Sequence, residues 1–151
     1  MDCDGVLTDG RLFISVGGET VKVFDVRDGQ GLSLWHAAGF ESGIISGRGA
    51  GDIIRHRANE IGVRFVRVKS LDKTQDVVEI IEELGLNLEE VAFVGDDVGD
   101  LEAVKMVGLG IAVRDAVIEL KRAAHYKTKK RGGRGAVREV VELLLKAKAV
   151  R

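Results

Sequence analysis

A chain of 151 residues that is 45% apolar suits one domain around one core, and its formal net charge of −1 gives no field that would draw it to nucleic acid or an anionic membrane. A single cysteine, Cys3, excludes an internal disulfide and a cysteine-rich zinc site. No apolar run approaches the roughly 20 residues of a membrane span, and no leader pattern is visible, so a soluble cytoplasmic protein is expected.

The chain opens on Asp2-Cys3-Asp4. Aspartates that serve phosphate or metal chemistry in α/β folds usually close a buried strand, so an apolar strand is expected upstream of Asp2. Residues 11–15 and 20–26 alternate in the strand manner around Val16-Gly17-Gly18-Glu19, which predicts a β-hairpin. A helix is expected over 31–38, with Gly39 as its stop. A short buried strand follows at 43–45, an amphipathic helix at 52–61 ending at Gly62, and a strand at 63–68. Residues 72–84 read as a helix ending at Gly85, and 91–94 as the cleanest buried strand. A helix through Val104, a strand at 111–113 and helices at 117–124 and 136–147 complete the pattern. Short apolar runs alternating with helices predict an α/β fold with a parallel sheet and crossover helices, in one domain spanning 1–151.

Four signals fall at or just after strand ends, where open α/β sheets place their sites. They are Asp2-Cys3-Asp4-Gly5-Val6-Leu7-Thr8-Asp9-Gly10, Ile44-Ile45-Ser46-Gly47-Arg48, Lys73 at a helix start, and Gly95-Asp96-Asp97-Val98-Gly99-Asp100. Together they supply carboxylates, a hydroxyl and an ammonium. That inventory suits phosphoryl transfer, in which positioning and charge neutralisation dominate. Carboxylates from two strands suit Mg²⁺, which prefers hard oxygen ligands.

In this order the motifs resemble the haloacid dehalogenase superfamily, and specifically its phosphatases, over nearly the whole chain. The resemblance implies a three-layer Rossmann-like parallel sheet. It makes Asp2 the nucleophile, Asp4 the acid and then base, Ser46 a hydrogen-bond donor to phosphate, and Lys73 the group that neutralises charge. Asp2, Asp4 (through its carbonyl) and Asp96 would hold Mg²⁺, with Asp97 and Asp100 binding a metal water or orienting Lys73. Gly99 stands where the family often has Asn. Only the hairpin interrupts the core, with no cap domain. This is similar to the capless phosphatases that act on 3-deoxy-D-manno-octulosonate 8-phosphate in lipopolysaccharide precursor synthesis. Further likeness lies in Phe24, Asp28-Gly29, Ser46-Gly47-Arg48 and Gly132-Gly133-Arg134-Gly135-Ala136-Val137-Arg138-Glu139. A substrate-binding set of Gly47, Arg48, Asp28, Arg134 and Arg138 is therefore expected. Arg48 favours this branch over the sialic-acid-type 9-phosphate phosphatases, which tend to carry an acidic residue there.

Plainer readings compete. Asp and Gly after strands also make turns and helix caps, above all at Asp9, Asp97 and Asp100. His36, His56 and His125 lack ligand spacing, Trp35 and Cys3 read as core, and the run Lys127, Lys129, Lys130, Arg131, Arg134 is either a solvated loop or an anion-binding rim. A two-component receiver also pairs acids with a hydroxyl and a lysine, but its phosphorylated aspartate would stand where Ser46 does. A non-catalytic regulatory module is the remaining rival. The hairpin's Leu12, Ile14, Val21 and Val23 need cover, and the resembling family is tetrameric, so a homotetramer acting on a phosphorylated acidic sugar is expected.

Overall fold

The computed structural model describes residues 1–149. The hairpin forms from β1 (Phe13–Ser15) and β2 (Gly18–Val21), paired antiparallel. Its loop is Val16-Gly17, tighter than expected, because the Ser15 hydroxyl accepts from the Gly17 amide and donates to the Gly18 carbonyl. The second strand stops at Val21, short of residue 26, because Asp25 caps an earlier helix. Its side chain accepts from the Arg27 amide and α1 runs over Val26–Ala37. The helix thus begins five residues before the expected start at residue 31, a start that Gly29 and Gly31 obscure in the sequence. Gly31 is small because a Cβ there would stand 3.1 Å from the Arg138 Cα of the last helix.

Beyond the hairpin the order is β3 (Gly43–Ser46), α2 (Gly51–Ile61), β4 (Phe65–Val68), α3 (Lys73–Leu84), β5 (Ala92–Gly95), α4 (Leu101–Met106), β6 (Leu109–Ala112), α5 (Ile118–Ala123), β7 (Tyr126–Lys127) and α6 (Ala136–Ala149). Two one-turn 3₁₀ segments, Leu88–Glu90 and Val98–Asp100, flank β5. Apart from α1 and the two-residue β7, which falls in the basic run read as loop, these elements match the expected ones within a few residues. The helices α2 and α3 end at Gly62 and Gly85 as predicted.

β3 pairs parallel with β4, and β5 with β6 and β6 with β7. Residues 1–2 join the two groups. The Met1 amine nitrogen donates to the Gly43 carbonyl and the Met1 carbonyl accepts from the Ile45 amide, while the Asp2 amide donates to the Val94 carbonyl. The spatial order is thus β4, β3, residues 1–2, β5, β6, β7. The chain steps outward through β3 and β4, then crosses back to β5 on the other side of Asp2. Right-handed crossovers running in opposite directions place their helices on opposite faces. Accordingly α1 packs with α2 and α6, whereas α3 packs with α4 and α4 with α5. The result is the three-layer α/β architecture, with Asp2 at the topological switch point where ligands bind in such sheets.

Ile44, Ile45, Phe93 and Ile111 from the strands are buried with Leu32, Val104, Leu120 and Val137 from the helices. Each such side chain contributes about 1.5–3 kcal/mol on burial. The hairpin stands outside this core: Phe13, Ile14, Val16, Val21 and Val23 are all exposed, Ile14 by 62%. Among the described residues no helix is long and apolar enough to cross a membrane.

Candidate active site

A cavity of about 470 Å³ opens at the C-terminal ends of the strands, within the ordinary range for small-molecule sites. Asp2, Asp4, Ser46, Gly47, Arg48, Lys73, Asp96 and Asp97 all line it. Sequence positions far apart converge here because Asp2, β3, β5 and the start of α3 end at the same edge of the sheet.

Lys73 is the hub of the floor. Asp72 caps α3 by accepting from the Thr74 and Gln75 amides, which puts Lys73 on the first turn. Its Nζ lies 3.0 Å from Asp2 Oδ1 and donates to Asp100 Oδ1 at 2.6 Å. Burial alone would lower the lysine pKa, but Asp2 and Asp100 outweigh it and hold the value above normal. Burial and the Asp100 charge push the Asp2 carboxyl up, with Lys73 opposing. Asp100 is fully engaged, since its Oδ2 accepts from the Asp96 and Asp97 amides. It orients Lys73 and shapes the turn. Asp97 is exposed and its side chain accepts from the Val98 amide.

Asp2, Asp96 and Asp100 can each present a carboxylate oxygen within 4.8 Å of the others. Asp96 Oδ1 is buried with no hydrogen-bond partner among the described residues, a state costly for a carboxylate. Burial, with the charges of Asp2 and Asp100, pushes the Asp96 carboxyl up to about 8. A hard divalent cation would satisfy the orphaned oxygen and remove the like-charge conflict, so the residues present fit Mg²⁺. Gly5 leaves the room: its φ is +87° and a Cβ there would stand 2.0 Å from Asp96 Oδ2.

On the cavity wall, the Ser46 hydroxyl donates to Asp4 Oδ2 at 3.5 Å and accepts from the Arg48 amide. The Ser70 amide donates to the Ser46 carbonyl, and Lys69, at φ 55°, turns the chain so that Ser70 and Leu71 form part of the rim.

Three expected substrate-binding residues are not among those lining the cavity. Asp28 is buried at the N-terminus of α6, where it accepts from the Gly135 and Arg138 amides, so it caps that helix across the fold. Arg138 pairs with Glu142 on the same helix, and Arg134 reaches Asp9 at 3.4 Å. The basic loop is held by backbone contacts: Glu139 accepts from the Lys129 and Lys130 amides, and the Gly133 amide donates to the Val6 carbonyl. His36 bonds the Ile61 carbonyl and Ser42, and Trp35 stacks on Phe40, which are packing roles. Cys3 is buried, as expected. The sequence reading missed Lys22 and Glu19. Lys22 Nζ lies 2.5 Å from Asp4 Oδ1 and 2.7 Å from Glu19 Oε1, and Glu19 Oε2 accepts from Arg48. Charges on a short hairpin read as a solvated face in the sequence; here the pairing register shifts between Glu19 and Val21, and β2 ends at Val21.

The family model for haloacid dehalogenase-like hydrolases matches residues 50–140. A 3-deoxy-D-manno-octulosonate 8-phosphate phosphatase of Yersinia pestis is 40% identical over 146 residues, covering 97% of this chain and 78% of its own length. Its Haemophilus influenzae counterpart is 36% identical, over 97% of this chain and 81% of its own. The crystal structure of the Moraxella catarrhalis phosphatase, in complex with magnesium, phosphate and KDO, is similar with a TM-score of 0.93 at 39% identity, covering 97% of this chain and 83% of that one.

Proposed function

The chain belongs to the haloacid dehalogenase-like hydrolases, and we propose that it is a Mg²⁺-dependent phosphatase that hydrolyses 3-deoxy-D-manno-octulosonate 8-phosphate to the free sugar acid and phosphate. One observation carries the reading: Asp2, Asp4, Ser46, Lys73 and Asp96 converge on one cavity at the switch point of the sheet.

Asp2 attacks phosphorus and forms an aspartyl-phosphate as the sugar oxygen departs. Asp4 protonates that oxygen, then takes a proton from the water that hydrolyses the acyl phosphate. Lys73, held by Asp100, keeps positive charge beside Asp2 and the incoming phosphate, and the Ser46 hydroxyl hydrogen-bonds a phosphoryl oxygen. Asp2 and Asp96, with the Asp4 carbonyl, would hold Mg²⁺, which supplies charge neutralisation for the phosphoryl group. Arg48, at the rim, offers the fork that a carboxylate or phosphate of an acidic sugar matches.

The exposed apolar residues of the hairpin support a homotetramer in which hairpins cover one another. A charged sugar phosphate does not cross a membrane unaided, which supports a cytoplasmic site of action.

Phosphate release is measured from the octulosonate 8-phosphate and from a sialic-acid-type 9-phosphate, with Mg²⁺ and with chelator. Repeated turnover that needs Mg²⁺ and favours the 8-phosphate is expected. A halt at one phosphate per chain, or preference for the 9-phosphate, would overturn the assignment.

A further inference from the structure

We infer that Lys22 and Glu19 of the hairpin are positioning residues that set the carboxyl of Asp4 for proton transfer to the leaving oxygen. The inference rests on the phosphatase reading above and adds two residues to it.

The hairpin is inverted relative to an ordinary surface element. Its apolar side chains stand in solvent, while the side chain of Lys22 is only 1% exposed and that of Glu19 only 6%. A buried ammonium is costly unless paired on all sides. Lys22 is paired twice, with Asp4 and Glu19, and Glu19 continues to Arg48 at 3.3 Å. With Asp4 ionised, as it is once it has given up its proton, the charges alternate along Asp4, Lys22, Glu19 and Arg48 and cancel over the four. The chain ties together three separate segments: the loop after Asp2, the hairpin, and the loop after β3. A latch for the hairpin would not need to grip the carboxyl that carries the proton.

The geometry gives the grip a direction. Lys22 holds Oδ1 of Asp4, and Oδ2 is left toward Ser46 on the cavity wall. In the first step the proton carried by Asp4 passes to the bridging oxygen while the P–O bond breaks and its electron pair goes to that oxygen. Asp4 ends as a carboxylate, and the adjacent ammonium stabilises that charge as it forms. In the second step Asp4 takes a proton from the attacking water. Glu19 keeps Lys22 from swinging to solvent and keeps Arg48 on the rim.

The test exploits leaving-group chemistry. A primary sugar alkoxide needs protonation to depart, whereas 4-nitrophenolate does not. Rapid-quench single-turnover measurements isolate the first step for both substrates. Lys22→Met should slow sugar release by about 100-fold, as loss of positioned acid catalysis does, and slow the nitrophenolate burst far less. Lys22→Arg should recover most of the loss, and Glu19→Gln should show the same asymmetry in weaker form. Equal losses on both substrates, or no loss on either, would overturn the inference. A wild-type protein that turns over the aryl phosphate and not the sugar phosphate would instead remove the substrate reading, and the asymmetry would then be read on another primary alkyl phosphate. Thermal melts of each variant separate a collapsed hairpin from a displaced carboxyl, and the arginine variant keeps the comparison available if the methionine variant unfolds.

Discussion

The cavity floor and the hairpin above it are built on opposite plans. The floor gathers Asp2, Lys73, Asp96 and Asp100 at the ends of buried strands and the start of a capped helix, and backbone amides fix its key carboxylate, Asp100. The hairpin buries two charges and exposes its apolar side chains. The difference separates two tasks. A rigid polar floor suits phosphoryl chemistry, where groups must already point at developing charge. An apolar flap tethered by ion pairs suits partner contact and control of the carboxyl it touches.

If this division holds, changes in the floor abolish turnover on every substrate, and changes in the hairpin act selectively. The largest effect belongs to Asp2→Asn. Loss of the proposed nucleophile should cost on the order of 10⁴-fold or more in kcat for sugar and aryl phosphates alike. Lys73→Met comes next, with a loss of about 10²- to 10³-fold in phosphate release, because Asp2 and Asp100 lose their shared cation. Ile14→Asp with Val21→Asp should turn the proposed homotetramer into monomers in light scattering and depress turnover on the sugar phosphate by less than ~10²-fold. A monomer with full activity would erase the distinction. Asp28→Ala leaves both regions in place and removes the cap of α6, so it should lower unfolding stability by about 1–2 kcal/mol with activity retained.

A pH titration sharpens the floor's side of the comparison. Asp96 has its carboxyl raised from 3.8 to about 8 by burial and by Asp2 and Asp100. In metal-free protein the folded state therefore binds the extra proton. Its contribution to stability is full below the unfolded value near 3.8 and is lost as pH rises through about 8. The urea midpoint should fall between about pH 4 and 6 in chelator, below the range where the buried Met1 amine, lowered to about 6, acts in the opposite direction, and stay flat there with saturating Mg²⁺. A midpoint rising with pH across that window in chelator would contradict the description of the floor.

Much of this was legible in the sequence, for local reasons. β3, β5 and α3 were readable because short apolar runs and an amphipathic period stop at glycines, and the four acid, hydroxyl and lysine signals stand where strands end. α1 was expected to begin only at residue 31; its first turns were obscured by Gly29 and Gly31, whose small size serves packing against Arg57 and α6. Asp28 resembled a substrate ligand, but its partners are amides 107 and 110 positions away. A motif cannot distinguish a capped helix from a bound sugar. Lys22 and Glu19 escaped notice because charges on a short hairpin read as solvated until the fold carries them over Asp4.

Covalent attack by Asp2, the step proposed for the floor, can be caught by trapping the aspartyl-phosphate. Radiolabelled substrate mixed with enzyme and Mg²⁺ is quenched in acid within the first turnover, and the labelled peptide is mapped. A hydroxylamine-labile phosphate on Asp2 is expected, absent from Asp2→Asn and absent when Mg²⁺ is withheld. Turnover with no labelled protein at any time, or a label on another residue, would contradict it.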